Sequence, residues 1–219
     1  IEKNVEGHRL MNPTEILKKE HRIIEVMLDC LGKVTDRISE GEKLDCKEIC
    51  EMVEFFKGFA DRFHHAKEEV FLFPSLESHG MPREGGPTGV MFVEHEIGRQ
   101  LVREMESSVA AGLKGETGSE SCFVRAARDY ELLLREHIQK EDHCLFAMAE
   151  SSLDAEEKLR LLEAFRVEEG KLGSPMSVHY YLEKARELSA QFGVPFPEEE
   201  GRSESSCGCC DPGAGCRGF

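Results

Sequence analysis

Two segments of the chain repeat a pattern of residues that could bind a metal ion. Histidine and glutamate stand four residues apart in His64–Glu68 and again in His137–Glu141. Residues four apart lie on one face of a helix, so each pair can direct an imidazole and a carboxylate into the same space. The two pairs are therefore candidate halves of one metal site.

The histidines upstream of these pairs complete an internal repeat. His21 precedes His64 by 43 residues, and His95 precedes His137 by 42. The local sequences match as well, with Glu-His-Arg-Ile at the first position and Glu-His-Glu-Ile at the second. The spacing predicts two helical hairpins of similar plan, each contributing one histidine and then a His–Glu pair.

The chemistry of these residue types indicates transition metals. A single histidine on an apolar stripe is usually an ordinary core residue, but here six residues fall at matched positions. Burying Glu68 and Glu141 together without a cation would set two carboxylates against each other in a low dielectric. Imidazole and carboxylate ligands suit first-row metals, iron foremost, rather than calcium or magnesium. Carboxylate–histidine sites in bundle cores usually hold two metals.

Some neighbouring residues leave alternatives open. His65 and Glu69 form the same spacing shifted by one residue, although the apolar stripe and the repeat favour His64 and Glu68. Tyr130 lies on the same helical face as His137 and either donates a hydrogen bond near the metals or packs in the core.

Four amphipathic helices are predicted to position these residues. The first begins at Asn12 with a proline at the next position, and the second begins near Asp45 and ends at Phe73-Pro74. The fourth is expected to continue its inner face through Cys144 and Met148. No segment alternates with period two, so the sequence predicts an all-α, up-down four-helix bundle with extra C-terminal helices.

The chain is divided into four regions by its composition. We expect an N-terminal extension at 1–11, the bundle at 12–150, a helical appendage at 151–193 and a cysteine-rich tail at 194–219. In the appendage, Leu159, Leu162 and Phe165 are expected on one side of a helix. The tail could bind a soft metal or relay electrons, although a flexible thiol-rich segment is the simpler interpretation; its cysteines are Cys207, Cys209, Cys210 and Cys216.

Charge and hydropathy exclude several functions. The 28 basic and 43 acidic residues give a net charge of −15, which disfavours nucleic acid and anionic membranes as partners. No stretch of about 18 apolar residues is present, and the first ten residues lack a signal-peptide core. A soluble cytoplasmic protein with reduced thiols is expected, and its oligomeric state stays open.

The segments HHAKEEVFLFP, EHEIGRQLVREM and REHIQKEDHCLF resemble the hemerythrin-like (HHE cation-binding) family over residues 14–150. This resemblance implies a four-helix bundle around a non-haem centre of two iron ions with an oxo or hydroxo bridge. It also implies that the two glutamates bridge the irons and that the ligands are His21, His64, Glu68, His95, His137 and Glu141.

Position 99 departs from the oxygen-carrying members of that family. Those proteins have a second histidine one turn after the third-helix histidine, whereas this chain has Arg99. The ligand set is instead similar to the four-His, two-Glu set of di-iron proteins linked to iron–sulfur cluster repair and nitric oxide stress. Four imidazoles, two bridging carboxylates and an oxo bridge leave two of twelve iron positions open, and a fifth histidine would leave one.

Open iron positions favour reactivity with O2, NO or peroxide. The leading interpretation is a di-iron protein that binds or senses one of these small ligands. The alternatives are a di-iron enzyme (a peroxidase, an NO reductase or a cluster-repair factor) and a protein for iron storage or trafficking. Arg99 is expected either to face the open position, where it would hydrogen-bond a bound anion, or to pair with Glu25.

Overall fold

The computed structural model describes residues 12–43, 45–171 and 177–197, and within these ranges the regular structure is helical, without strands. The predicted all-α bundle is confirmed. The elements are, in chain order, α1 Pro13–Ser39, α2 Cys46–Phe55, π Phe56–His65, π Glu68–Leu72, α3 Phe73–Ser78, α4 Pro87–Leu113, α5 Ser119–Lys140, π Glu141–Leu145, α6 Phe146–Ser152, α7 Ala155–Lys171 and α8 Val178–Phe192.

Four long helices form the bundle, and some of them combine several elements. Bundle helix 1 is α1, and bundle helix 2 combines α2, two π-helical segments and α3. Bundle helix 3 is α4, and bundle helix 4 combines α5, a π turn and α6.

The helix starts agree with the sequence signals. Asp45 caps α2, because its side chain accepts hydrogen bonds from the backbone N–H groups of Lys47 and Glu48. Asn12 precedes α1 as expected, with Pro13 in the first turn, but its side chain makes no capping bond. The predicted extension at 1–11 and the four tail cysteines lie outside the described residues.

The predicted end of bundle helix 2 at Phe73-Pro74 is wrong, since the helix continues through Ser78. Proline lacks an N–H and its ring normally clashes with the carbonyl four residues earlier. Here Pro74 follows a π turn, in which the N–H of Phe73 donates to the carbonyl of Glu68. The wider turn lets the chain pass through the proline without a break.

The inner face of bundle helix 4 also differs from the prediction beyond Glu141. Cys144 and Met148 are exposed, and the buried positions are Leu145, Phe146 and Ala149. The π turn at Glu141–Leu145 inserts one extra residue into the helix. The apolar stripe is therefore displaced by one position after the turn.

Two separate apolar clusters fill the bundle. One contains Ile24, Phe63, Val102 and Leu134, and the other contains Leu17, Leu72, Met91 and Leu145. Each bundle helix contributes residues to both clusters. In the sequence of each helix, the candidate ligands lie between the residue named in one cluster and the residue named in the other. A polar layer therefore crosses the bundle between two hydrophobic regions.

The appendage packs on the outside of the bundle. Tyr181 of α8 is buried and lies against Gly58, where a Cβ atom would come within 1.9 Å of the tyrosine oxygen. Among the described side chains of α7, Leu161 and Phe165 are buried while Leu159 is exposed, which corrects the predicted face. Among the helices of the described ranges, none has the length and apolar character needed to cross a membrane.

Candidate metal centre

The six residues predicted as ligands lie together in the polar layer of the bundle. Each bundle helix contributes one histidine from its inner face, and bundle helices 2 and 4 each add a glutamate. Every one of them is at most 1% exposed; they are His21, His64, Glu68, His95, His137 and Glu141. The two hairpins therefore bring these side chains to one place that solvent does not reach.

Glu68 lies between histidines of both hairpins. Its Oε1 is 3.5 Å from Nε2 of His64, and its Oε2 is 3.6 Å from Nε2 of His95. Glu68 also belongs to two groups of candidate ligands whose donor atoms lie within 4.8 Å of one another; the groups are His21, His64, Glu68 and Glu141, and His65, Glu68, His95 and His137. The geometry suits a carboxylate shared by two cations.

Glu141 occupies the corresponding place in the second hairpin. Its Oε2 lies 3.2 Å from Nε2 of His21 and 3.3 Å from Nε2 of His137. The Nε2 atoms of His95 and His137 are 3.0 Å apart. Both carboxylates thus reach imidazoles from two helices.

Several of the nitrogen and oxygen atoms that could bind a metal have no hydrogen bond among the described residues. They are Nε2 of His21, Nε2 of His64 and all four carboxylate oxygens of Glu68 and Glu141. A buried unpaired polar group costs about 1–3 kcal/mol, and such groups are rare in native proteins. Because the unpaired atoms converge on one space and are the donors that transition metals prefer, the residues fit metal cations.

The two buried carboxyl groups have opposite pKa shifts. Burial and the negative charge of Glu141 raise the pKa of Glu68 well above its usual value. Burial alone would raise the pKa of Glu141 too, but contacts with His137 and His21 together hold it well below the usual value. Without a cation, the pair therefore keeps one proton on Glu68, and cation binding would release it.

A second set of carboxylates orients the imidazole rings. Each candidate histidine donates Nδ1–H to one of them, with Asp142 2.8 Å from His21, Glu20 2.9 Å from His64, Glu69 2.7 Å from His95 and Glu94 3.0 Å from His137. Such bonds fix the tautomer that leaves Nε2 free for a metal. These carboxylates follow the internal repeat. Each one is adjacent in sequence to a candidate ligand, and that ligand lies on a different helix from the histidine to which the carboxylate bonds.

Two equivalent lysines support this second set. Lys67 donates to Glu20, and Lys140 donates to Glu94. Lys67 is fully buried, lies 3.7 Å from the centre of the Phe63 ring and also donates to Glu169 of α7 at 2.8 Å. The appendage therefore contacts the residues that hold His64.

His65 is a further candidate ligand, whereas the sequence pattern presents it only as an alternative to His64. The structure buries both, because the π-helical segment turns two successive residues inward. Glu69, the other member of the shifted pair, lies outside the cluster and bonds His95. The feature of the sequence that could have indicated His65 is Asp61, which stands four residues earlier. Its Oδ1 lies 3.6 Å from Nδ1 of His65.

Both expectations for Arg99 are wrong. Its Nε donates to Asp61 at 2.8 Å and its terminal nitrogen donates to Glu69 at 2.6 Å, while Glu25 pairs with Arg22. Arg99 therefore supports carboxylates beside the candidate ligands and does not face the cluster. Tyr130 is buried and stacks edge-on against Phe56, 4.9 Å away, as a core residue.

Buried imidazoles and carboxylates at the centre of a helical bundle define a protein that binds metal cations in its core. The family model for the hemerythrin HHE cation-binding domain matches residues 12–149, and the chain belongs to this family. The resemblance in the sequence is thereby confirmed, as is metal-cation binding as the coarse function.

Relatives of the chain are found in mycobacteria. A protein of Mycobacterium tuberculosis and one of Mycobacterium bovis, both described as uncharacterised, are each 20% identical over 180 residues. These alignments cover 82% of this chain and 70% of each relative. No solved structure matches the chain.

Proposed function

We propose that the cluster holds two iron ions and that the protein binds or senses O2, NO or peroxide there. The main support is that Glu68 is shared by two groups of buried donors, each with histidine and carboxylate. Such mixed donor sets suit iron. When bound, the iron pair would supply the redox-active centre to which a small ligand attaches.

The protein's own residues would hold and shield this centre. The Nδ1 bonds to carboxylates keep each Nε2 directed into the cluster, so little rearrangement is needed on metal binding. The six residues that would bind the metals are at most 1% exposed. This burial supports a bound molecule of a few atoms rather than an organic substrate. The apolar clusters above and below exclude water from the polar layer.

Metal content is the first test of this function. The full chain is purified without added metal, reconstituted anaerobically with iron(II), and analysed for metal and for absorption after exposure to air. About two irons per chain and near-ultraviolet absorption typical of an oxo-bridged pair are expected. A reconstituted chain without iron would contradict the proposal.

Rapid mixing separates binding from catalysis. The reduced, iron-loaded protein is mixed with O2, NO or hydrogen peroxide, with and without an excess of reductant. A stable spectral change that is reversed by removing the ligand supports binding or sensing. Repeated consumption of ligand with the reductant would assign an enzyme instead, and the absence of any spectral change with all three would exclude both.

A further inference from the structure

The two halves of the cluster differ in residues that the internal repeat would otherwise make equivalent. Around His95 and His137 the chain has Asp61, His65 and Arg99. The positions that correspond to them around His21 and His64 hold Leu134, Ile138 and Glu25. Leu134 and Ile138 are buried apolar residues, and Glu25 pairs with Arg22 near the surface. The half around His95 and His137 therefore has a polar group of three side chains, Asp61, His65 and Arg99, that the other half lacks.

This polar group places a third imidazole beside His95 and His137. His65 is 4% exposed, and its ring stacks on that of His95 with centres 3.8 Å apart and planes 14° apart. Its ring centre is 5.8 Å from that of His137. Neither ring nitrogen of His65 has a hydrogen bond among the described residues. Nδ1 lies 3.6 Å from Oδ1 of Asp61, and Nε2 has no such neighbour among the described carboxylates. A buried imidazole of this kind is costly unless a further ligand satisfies its Nε2.

Arg99 connects the supports of this half. It bonds Asp61, which lies beside His65, and Glu69, which accepts the Nδ1–H of His95. One guanidinium thus fixes the carboxylates next to two stacked imidazoles. Such an outer arrangement is typical of metal ligands and is unnecessary for an ordinary core histidine.

We propose that His65 is a third imidazole ligand in the half formed by His95 and His137, and that the two metals consequently have unequal donor sets. This inference rests on the proposed function, because it requires a metal pair. By the coordination count given above, a fifth imidazole leaves one open iron position, and it lies on the half with His21 and His64. Small ligands would then bind at that half.

The test replaces His65 with the residue that the other half has at the same place. His65→Ile copies Ile138, and His143→Ala, at an exposed histidine two residues beyond Glu141, is the matched control. Wild type and variants are loaded with ⁵⁷Fe and studied by Mössbauer spectroscopy, chelator competition and azide titration. The wild type is expected to give two doublets of equal area with different splittings and to bind about one azide per iron pair.

For His65→Ile we expect only one doublet to change. The affinity of one iron should fall by about tenfold or more, the other iron should be retained, and azide uptake should rise towards two per pair. His143→Ala should match the wild type. Should His65→Ile not fold, His65→Gln keeps a polar side chain of similar reach and is expected to change the same doublet.

The outcomes separate the two proposals. If His65→Ile, or His65→Gln in its place, keeps the wild-type spectrum, both iron affinities and azide stoichiometry, then His65 is a core residue and the inference is overturned while the iron pair stands. A wild-type chain that takes up no iron overturns the proposed function itself.

Discussion

At the scale of single residues, the site depends on neighbours in sequence that serve different helices. Glu20 and His21 are adjacent, yet His21 points into the cluster while Glu20 accepts a hydrogen bond from His64 on bundle helix 2. Glu94 and His95 divide the same two roles in the second hairpin. A dipeptide thus supplies one candidate ligand and orients another, which joins the helices through the site.

The adjacent pair Glu68 and Glu69 allows the roles of ligand and support to be separated. Because Glu68 reaches both donor groups, Glu68→Ala is expected to remove both irons. Among the described residues, Glu69 accepts hydrogen bonds from Nδ1 of His95 and from Arg99 and lies outside both donor groups. Glu69→Ala should therefore retain iron with an affinity reduced by about 10- to 100-fold. Metal analysis after dialysis against graded chelator distinguishes these results. Two irons retained by Glu68→Ala would refute the bridging assignment.

Glu20 gives the metal-free protein a specific pH dependence. Burial raises its pKa from 4.5 to about 7, against the lowering effect of Lys67. The folded state then holds a proton that the unfolded state releases, so wild-type stability falls as the pH rises from about 4.5 to 7. Glu20→Gln removes this titration, and its stability relative to wild type should increase by about 3 kcal/mol over that range.

Urea unfolding of the metal-free proteins at pH 4.5 and pH 8 measures this difference. Glu116→Gln, at an exposed position between α4 and α5, is the control and should show no change in its difference from wild type. The same Glu20→Gln difference at both pH values would mean that Glu20 does not titrate as its burial indicates.

The six predicted residues were accessible from sequence because helical spacing alone places them on inner faces. The i, i+4 pairs and the repeat required no knowledge of packing. His65 was not accessible in this way, because a regular helix directs the residue after an inward histidine away by about 100°. Only the π-helical segment turns both inward.

At the scale of elements, π turns begin at the two candidate bridging carboxylates. They span Glu68–Leu72 and Glu141–Leu145. Proline is not their cause, since Pro74 follows the first turn while the equivalent position after the second is Ala147. π turns are frequent at functional sites, and each one here begins at a buried glutamate of the candidate metal centre. Periodicity of 3.6 residues predicted the four helices of the bundle, but it could not anticipate the inserted residue, which moved Cys144 to the surface.

The docking of α8 requires a residue without a side chain at position 58. A Cβ there would lie 1.9 Å from the Tyr181 oxygen, and the ring is buried against Phe55. Gly58→Ala should therefore displace Tyr181 and destabilise the protein by about 1–3 kcal/mol. Gly170→Ala is the matched control, since a Cβ at that helical position meets no atom within 4 Å among the described residues and should be neutral or stabilising.

Urea unfolding of both glycine variants tests this contact. We expect the iron content to be unchanged in both, because neither residue contacts the cluster. A Gly58→Ala protein as stable as wild type would mean that α8 is not held by Tyr181 in the way the packing indicates.

At the scale of the whole molecule, the bundle divides its core with a polar layer. The helices carry apolar residues above and below that layer, and the charges inside it come from four different helices. Hydrophobic burial can fold the two ends, but the layer between them brings Glu68 and Glu141 together at a cost. The fold and its metal centre are therefore thermodynamically linked.

Removing the metal should accordingly lower the melting temperature, and by an amount that depends on pH. Without a cation, burial and the negative charge of Glu141 raise the pKa of Glu68 well above 4.5. The folded state then holds a proton that the unfolded state releases, so the stability of the metal-free protein falls as the pH rises above 4.5. The loaded protein avoids this cost because the metal replaces the proton, and its extra stability follows the binding free energy. The difference in melting temperature between loaded and metal-free protein should therefore be small near pH 5 and large near pH 8.

Calorimetry of the loaded and metal-free proteins at the two pH values measures this difference. In the metal-free form at pH 8, Glu68→Gln is expected to be more stable than wild type. Equal melting temperatures at pH 8 would show that the buried carboxylates do not require a cation.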